Sequence, residues 1–246
     1  VEGLSGDELR GRNATMVWDG LGTVQLQYPG PWLKQKSSST YHLLKRLGRR
    51  TIPVEALAGV EVVMPGGKED ATIRLVLRER ADPLLTVAGG RLSEILDPYR
   101  LDFDAKQWLL ADYYAQEIRT AIALHQPPSG PAERWLIEPP PAPDKVKYQG
   151  VKAELDGTDL VLDYGFGATQ PKKSYGDPWR LPLAELRNVE WAPQSVGRVG
   201  YLRLTTTRTP AERPKPMDDP ETLQTSAVFE TDGLFFAAKL LSLINW

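Results

Sequence analysis

Cysteine is absent from the 246 residues, which removes disulfides, thiol nucleophiles, iron–sulfur clusters and thiolate zinc sites. Histidine is scarce. His42 and His125 are the two in the chain, and neither has a second histidine at ligand spacing, so no metal or cofactor site is expected. Gly-x-Ser-x-Gly is missing as well, which leaves no nucleophile elbow. No uninterrupted apolar run reaches the roughly 18–20 residues that span a bilayer, and no signal-peptide pattern opens the chain; the expected setting is the cytosol. Neither sign of charge dominates. Thirty basic residues stand against 32 acidic ones, for a net charge of −2, so nucleic acid and acidic membrane exert no whole-molecule attraction. What remains is 41% hydrophobic and 25% charged, the composition of a globular protein long enough for one large domain or two ordinary ones.

The chain repeats itself. Ile52-Pro53-Val54-Glu55-Ala56-Leu57-Ala58-Gly59-Val60-Glu61 reappears 129 positions later as Leu181-Pro182-Leu183-Ala184-Glu185-Leu186-Arg187-Asn188-Val189-Glu190. Ile73-Arg74-Leu75 faces Leu202-Arg203-Leu204 at the same offset. Upstream, Asp19-Gly20 precedes the alternating Val24, Leu26 and Tyr28, as Asp156-Gly157 precedes Leu160, Leu162 and Tyr164. Downstream, Leu101-Asp102-Phe103-Asp104 is matched to Val228-Phe229-Glu230. So long a period means two similar domains, not a solenoid. The expected division is a first domain over 1–125, a proline-rich linker over 126–145 and a second domain over 146–246. Seven prolines (127, 128, 131, 139, 140, 141 and 143) hold the linker extended. Trp135, Leu136 and Ile137 are expected to leave it and pack on one domain.

Period-two alternation at Thr23 to Tyr28 and Thr72 to Arg78 predicts strands with one buried face. From Ala105 to Leu124 the period becomes helical, with Trp108, Ala111, Tyr114, Ala115, Ile118, Ala121 and Ile122 on one stripe. Leu234 to Ile244 repeats that pattern. Each half therefore reads as about seven short strands and a closing helix, a mainly β fold of two half-open antiparallel barrels, each plugged by its own last helix.

Catalytic groups do not assemble in the sequence. Gly167 to Ser174 superficially resembles a phosphate-binding loop, but Lys172 replaces the second glycine, Pro171 removes an amide and no helix follows. Asp102, Asp104 and the pair Asp218-Asp219 fit ordinary surface positions. The one constellation above background is basic and aromatic. Between Pro29 and Arg50 lie Lys34, Lys36, Lys45, Arg46, Arg49 and Arg50, with His42, Trp32 and Tyr41 among them and no acid. The second half places Lys172, Lys173, Tyr175, Trp179 and Arg180 in the corresponding insertion, opposed by Asp177. Both segments are expected to be loops joining the second and third strands.

The strand order and the Ile-Pro-x-x-x-Leu-x-x-Val-Glu signature resemble the pleckstrin-homology-like superfold, especially its bacterial and GRAM-type members. Arg49 to Val54, Glu79-Arg80-Ala81-Asp82-Pro83-Leu84-Leu85, Gly89-Gly90-Arg91-Leu92 and Gly130-Pro131-Ala132-Glu133-Arg134 are similar to an actinobacterial family of tandem domains with no assigned activity. The resemblance spans nearly the whole chain and implies binding rather than catalysis. Lipid-binding pleckstrin domains carry their basic motif after the first strand. Here the corresponding turns, at Asp19-Gly20-Leu21-Gly22 and Asp156-Gly157-Thr158-Asp159, are short and acidic. The expectation is a non-catalytic binding protein meeting a protein or peptide partner through the basic–aromatic loops. Attachment to anionic membrane through the same loops is the alternative. An enzyme with a carboxylate pair brought together from distant positions is a weaker one, and nucleic acid is disfavoured.

Overall fold

The computed structural model describes residues 8–29, 38–64, 70–195, 198–225 and 231–244. They fall into two compact units. The first comprises Val1–Asp82 and Arg91–Glu138, the second Pro83–Gly90 and Pro139–Trp246. The division thus falls inside the proline-rich stretch, and one short segment from the first half of the sequence belongs to the second unit.

In the first unit β1 (Leu9–Arg10), β2 (Thr15–Trp18), β3 (Thr23–Gln27) and β4 (Arg49–Pro53) form one sheet in that order, with α1 (Ser39–Leu47) in the β3–β4 connection. The strands β5 (Leu57–Val63), β6 (Ala71–Leu77) and β7 (Arg100–Phe103) form a second sheet. Between β6 and β7 the chain makes α2 (Pro83–Val87), and α3 (Trp108–His125) closes the unit. The second unit repeats the plan. Here β8 (Lys145–Tyr148), β9 (Val151–Asp156), β10 (Asp159–Tyr164) and β11 (Trp179–Pro182) make the larger sheet. The smaller sheet is β12 (Leu186–Ala192), β13 (Gly200–Thr206) and β14 (Thr222–Thr225), and α4 (Thr231–Ser242) follows. All pairings are antiparallel, and no sheet closes into a barrel among the described residues.

Register confirms the duplication residue by residue. Val24 faces Ile52 as Leu160 faces Leu181, and Glu61 faces Arg74 as Glu190 faces Arg203. Both pairs carry a cross-strand ion contact, at 3.6 and 3.9 Å. Even the irregularities repeat, since the register shifts between Leu57 and Gly59 and again between Leu186 and Asn188. The tight turn after β2 follows from its composition. Gly20 takes φ +76°, a backbone conformation that costs other residues a steric clash. One Asp19 carboxylate oxygen accepts from the amides of Leu21, Gly22 and Thr23 at 2.8–2.9 Å.

One part of the expected alignment is corrected. β13 pairs with Thr222–Thr225, so the residue opposite Gly200 is Thr225 just as the residue opposite Ala71 is Phe103. The counterpart of Phe103 is therefore Thr225 and not Phe229. Residues 228–230 lie outside the described residues. The connection before this last strand runs from 78 to 99 in one unit and from 207 to 221 in the other, and that difference in length displaces the match.

In each unit the two sheets meet at one corner. The bridge Gly11–Phe103 and the bond from Arg12 N to Asp102 O (2.7 Å) make it in the first, and Gln149 N to Gln224 O (2.9 Å) in the second. A side chain at Gly11 would run into Leu101, which explains glycine at that crossing. No ladder joins β4 to β5 or β11 to β12 among the described residues. The closing helices cover this gap, α3 along β5 and α4 along β12. Ala111, Tyr114, Ala115, Ile118 and Ala121 are the buried stripe of α3, five of the positions read from its period, while Leu109 and Tyr113 face solvent. By contrast α4 is buried over most of its circumference: Leu234, Phe235, Phe236, Ala237, Ala238, Leu240 and Leu241 are all covered, and Asp232 and Lys239 mark its one wetter edge. A helix apolar all round needs neighbours on more than one face. Its second neighbour is α2, which packs on α4 and β12 with Pro83, Leu84 and Val87 inward.

The Trp135-Leu136-Ile137 segment behaves as its apolarity requires. Leu136 and Ile137 both donate their amides to Ala81 O, at 3.0 and 3.1 Å, and Ile137 is buried in the first unit.

Candidate functional site

The described part of the basic–aromatic segment of the first unit, residues 38–50, is not a loop. Ser38 caps it by accepting the Tyr41 amide at 3.1 Å, and residues 39–47 then form α1. Gly48, at φ +61°, ends the helix with its amide on Leu44 O. Leu43, Leu44 and Leu47 are buried, which leaves Lys45, Arg46 and His42 on the outer surface. Lys45 and Arg46 occupy the last turn, where cations complement the helix dipole. The Lys45 ammonium lies 6.0 Å from the Tyr41 ring centroid, and Tyr41 meets the His42 ring edge-on at 6.0 Å. Arg49 follows in β4, exposed, with its Nε on Gln27 Oε1 at 3.2 Å. The segment joins the third and fourth strands, not the second and third, because the short β1 precedes. Trp32, Lys34 and Lys36 lie outside the described residues.

Three residues expected at the contact surface are instead interior. Arg50 points inward between the sheets and is 4% exposed. Its Nη2 donates to Asp82 Oδ1 at 2.7 Å and to Tyr99 Oη at 2.9 Å, and Nη1 donates to Glu138 O at 2.6 Å. Tyr99 in turn donates to Asp82 Oδ2 at 2.6 Å. Burial opposes the guanidinium charge, but Asp82 and then Tyr99 more than offset it and hold Arg50 above its ordinary pKa. Every charge in this group has a partner, as a dry interior demands. Strand alternation is the physical reason: Arg50 and Ile52 share the inward face while Arg49 and Thr51 face out. Trp179 stands at the same register in the second unit, opposite Leu162 as Arg50 is opposite Leu26, and is equally buried.

Lys172 is the third. It lies in a short 3₁₀ turn, Pro171–Lys173, and turns its Nζ inward onto the Thr222 carbonyl. Burial lowers its pKa, against a partial pull upward from Asp219 and Asp218. The other cations of this insertion are locally neutralised. Lys173 pairs with Asp177 at 2.7 Å, and Arg180 with Asp156 at 2.9 Å. Tyr175 packs edge-on against Trp179, with ring centroids 4.9 Å apart.

Beneath both insertions lies a repeated feature that the sequence reading missed. Asp97-Pro98-Tyr99 and Asp219-Pro220-Glu221 enter the last strands of their sheets identically. Asp97 Oδ1 accepts the Tyr99 amide and Asp219 Oδ1 the Glu221 amide, each at 2.9 Å. Above them the Tyr28 hydroxyl donates to Pro98 O, and the Tyr164 hydroxyl to Pro220 O at 3.1 Å. The repeated Asp-Pro dipeptide was the available signal. Around this turn each unit buries acids beside a cation, but from different positions. Arg50 and Asp82 serve the first. In the second, Asp219 and Glu221 are buried, not at the surface position expected of the Asp218-Asp219 pair; both meet the half-buried Arg213, at 3.4 and 3.7 Å, and Glu221 accepts from Thr206 and Thr209, each at 2.6 Å.

Burial raises the pKa of Tyr28, Tyr99 and Tyr164 above the phenol value of 10. A group whose folded pKa exceeds its unfolded one contributes stability that is complete below the unfolded value and lost as pH rises past it. Alkaline titration is therefore expected to hold these tyrosines protonated past pH 10 and then ionise them together with unfolding. Tyrosinate absorbance followed beside circular dichroism checks this; full ionisation of all nine tyrosines before any loss of structure would refute it.

Among the described residues no group of three His, Cys, Asp or Glu side chains is placed to hold a metal ion, and no helix is long and apolar enough to cross a membrane. No curated protein is significantly similar to the chain. A family model does match it twice, over residues 32–119, from the β3–β4 connection into α3, and over 153–241, from β9 into α4. With both halves matched and both folded to one plan, the chain belongs to the family described as Domain of unknown function (DUF4429), and carries that domain in tandem.

Proposed function

We propose that this is a non-catalytic, cytosolic binding protein of two pleckstrin-homology-like domains whose first domain meets an acidic protein or peptide through α1 and the start of β4. Seven strands in a four-plus-three arrangement with a helix along the open corner support the pleckstrin-like assignment. The framework motifs support its grouping with actinobacterial tandem proteins. The observation that carries the contact is the difference between the two insertions. Lys172 is buried and Lys173 and Arg180 are held by acids of their own insertion or sheet, whereas Lys45, Arg46 and Arg49 are all exposed, with Lys45 next to the Tyr41 ring. Cations grouped with aromatic rings suit an acidic partner, since charge steers the encounter and the ring supplies apolar contact.

The test is fluorescence anisotropy with a labelled Glu/Asp-rich peptide, alongside sedimentation with phosphatidylserine vesicles. Saturable peptide binding that weakens with salt is expected, and the variant Lys45→Glu, Arg46→Glu, Arg49→Glu should lose about tenfold or more in affinity. Unchanged binding by that variant would remove α1 as the contact. Binding to vesicles and not to peptide would replace the protein partner with a membrane surface.

A further inference from the structure

The outer face of β5, β6 and β7 forms the floor of a cavity of about 680 Å³, walled by the segment from Arg91 to Asp97. That volume lies inside the ~300–1,000 Å³ range of small-molecule sites. Three guanidinium groups line it: Arg74, Arg91 and Arg100. Two of them are directly opposite across β6 and β7, a placement that like charges resist unless something holds them.

Each is held from behind. Asp97, buried, takes Arg74 Nε at 2.8 Å while its other oxygen receives the Tyr99 amide. Asp102 takes Arg100 Nε at 2.9 Å. These bonds fix the two guanidinium planes and leave their remaining N–H groups for other acceptors. The acceptors now present are two surface carboxylates, Glu61 at 3.6 Å from Arg74 and Glu94 at 2.7 Å from Arg100, and the Thr72 hydroxyl, a long 3.5 Å from Arg100 Nη2. The Glu94 side chain is 85% exposed, and an exposed pair of that kind is weak and easily exchanged. Arg91 makes no ion pair or hydrogen bond among the described residues. Val63 and Leu92 add apolar surface to the same lining.

The second unit lacks this arrangement among the described residues. Thr222 stands where Arg100 does, opposite Arg203. Tyr201 replaces Thr72, with the Arg203 guanidinium 4.5 Å from the centroid of its ring. The site thus belongs to the first unit, on a face distinct from α1.

We propose that this cavity binds a small organic oxyanion, its phosphate or carboxylate head held by Arg74, Arg91 and Arg100 and its apolar body on Val63 and Leu92, with Glu94 as the internal carboxylate that the ligand displaces. Planar guanidinium forks pair two-pronged with such heads, which is why arginine suits the role and lysine would not.

Backbone NMR titration of the full chain with phenyl phosphate, benzoate and inorganic phosphate tests it. Phenyl phosphate or benzoate should shift the amides of Thr72, Arg74, Ser93 and Arg100, and whichever binds tighter identifies the head group. Arg91→Ala should weaken that binding by roughly tenfold, the usual worth of a charge-assisted hydrogen bond, and Glu94→Gln should tighten it by about threefold as the competing anion is lost. Both residues are exposed, and unchanged spectra elsewhere establish that the variants fold. No shift of these amides with either organic anion at millimolar concentration would overturn the proposal. Equal affinity for inorganic and phenyl phosphate would overturn it too, as would an Arg91→Ala titration identical to the parent. The α1 reading stands or falls separately, because none of these residues belongs to it.

Discussion

Leu84→Ala is expected to destabilise the second unit by about 2–5 kcal/mol, although residue 84 lies in the first half of the sequence. Leu84 is fully buried, and with Pro83 and Val87 it packs on α4 and β12. Truncating it leaves a void beside a helix on which Phe235 and Phe236 have no exposed surface to spare. Leu84→Met, which keeps the volume, should cost less than about 1.5 kcal/mol. Hydrogen exchange locates the effect. Amides of α4 and β12 to β14 should lose protection while those of β1 to β7 keep theirs. Loss confined to the first unit would contradict the assignment of α2 to the second. By the same reasoning, a fragment of residues 139–246 should melt less cooperatively than the unit does in the whole chain, because it lacks one wall of its core.

Arg50→Ala should cost the first unit about 3–5 kcal/mol, the loss expected when one member of a buried ion pair is removed. Asp82 would lose its guanidinium partner in a dry site while keeping the Tyr99 hydroxyl, and Glu138 O would lose its donor. Arg50→Lys should not rescue, since one ammonium cannot reproduce a fork that reaches Asp82, Tyr99 and Glu138 O together. Replacing both charges, as Arg50→Met with Asp82→Leu, should recover much of the loss, because the penalty comes from an unpaired buried charge and not from the absence of a pair. Urea midpoints of the single and double variants decide it. A single variant as stable as the parent would show that the pair does not hold the sheet to the segment carrying Asp82. It would also return Arg50 to the list of surface cations.

Much of the fold was legible because duplication tests itself. Two stretches sharing Pro53/Pro182, Leu57/Leu186, Val60/Val189 and Glu61/Glu190 must meet the same packing demands, and the registers show that they do. The period change at Ala105 marked α3 to within a few residues. The candidate contact was less legible. Arg50 and Lys172 sit in basic runs, where composition suggests a wet surface. For Arg50 a signal existed, since its spacing of two from Ile52 puts it on the inward face of β4. For Lys172 none did, because a side chain in an irregular insertion follows no period. The last strand of the second unit was displaced because an attractive match at Phe229 outweighed the Asp-Pro dipeptide that enters both β7 and β14.

By itself the amino-acid order determined that the chain is two copies of one strand-rich module, each ending in a helix, because alternation and helical periodicity are local properties that adjacent side chains impose on the backbone. Which cations are spent inside, which remain on α1, and that residues 83–90 complete the core of the later module were decided only by tertiary structure. Burial depends on which distant segments arrive to cover a side chain. The nearly all-round apolar surface of α4 announces that it needs a second neighbour, but nothing in its own residues says that the neighbour is Leu84.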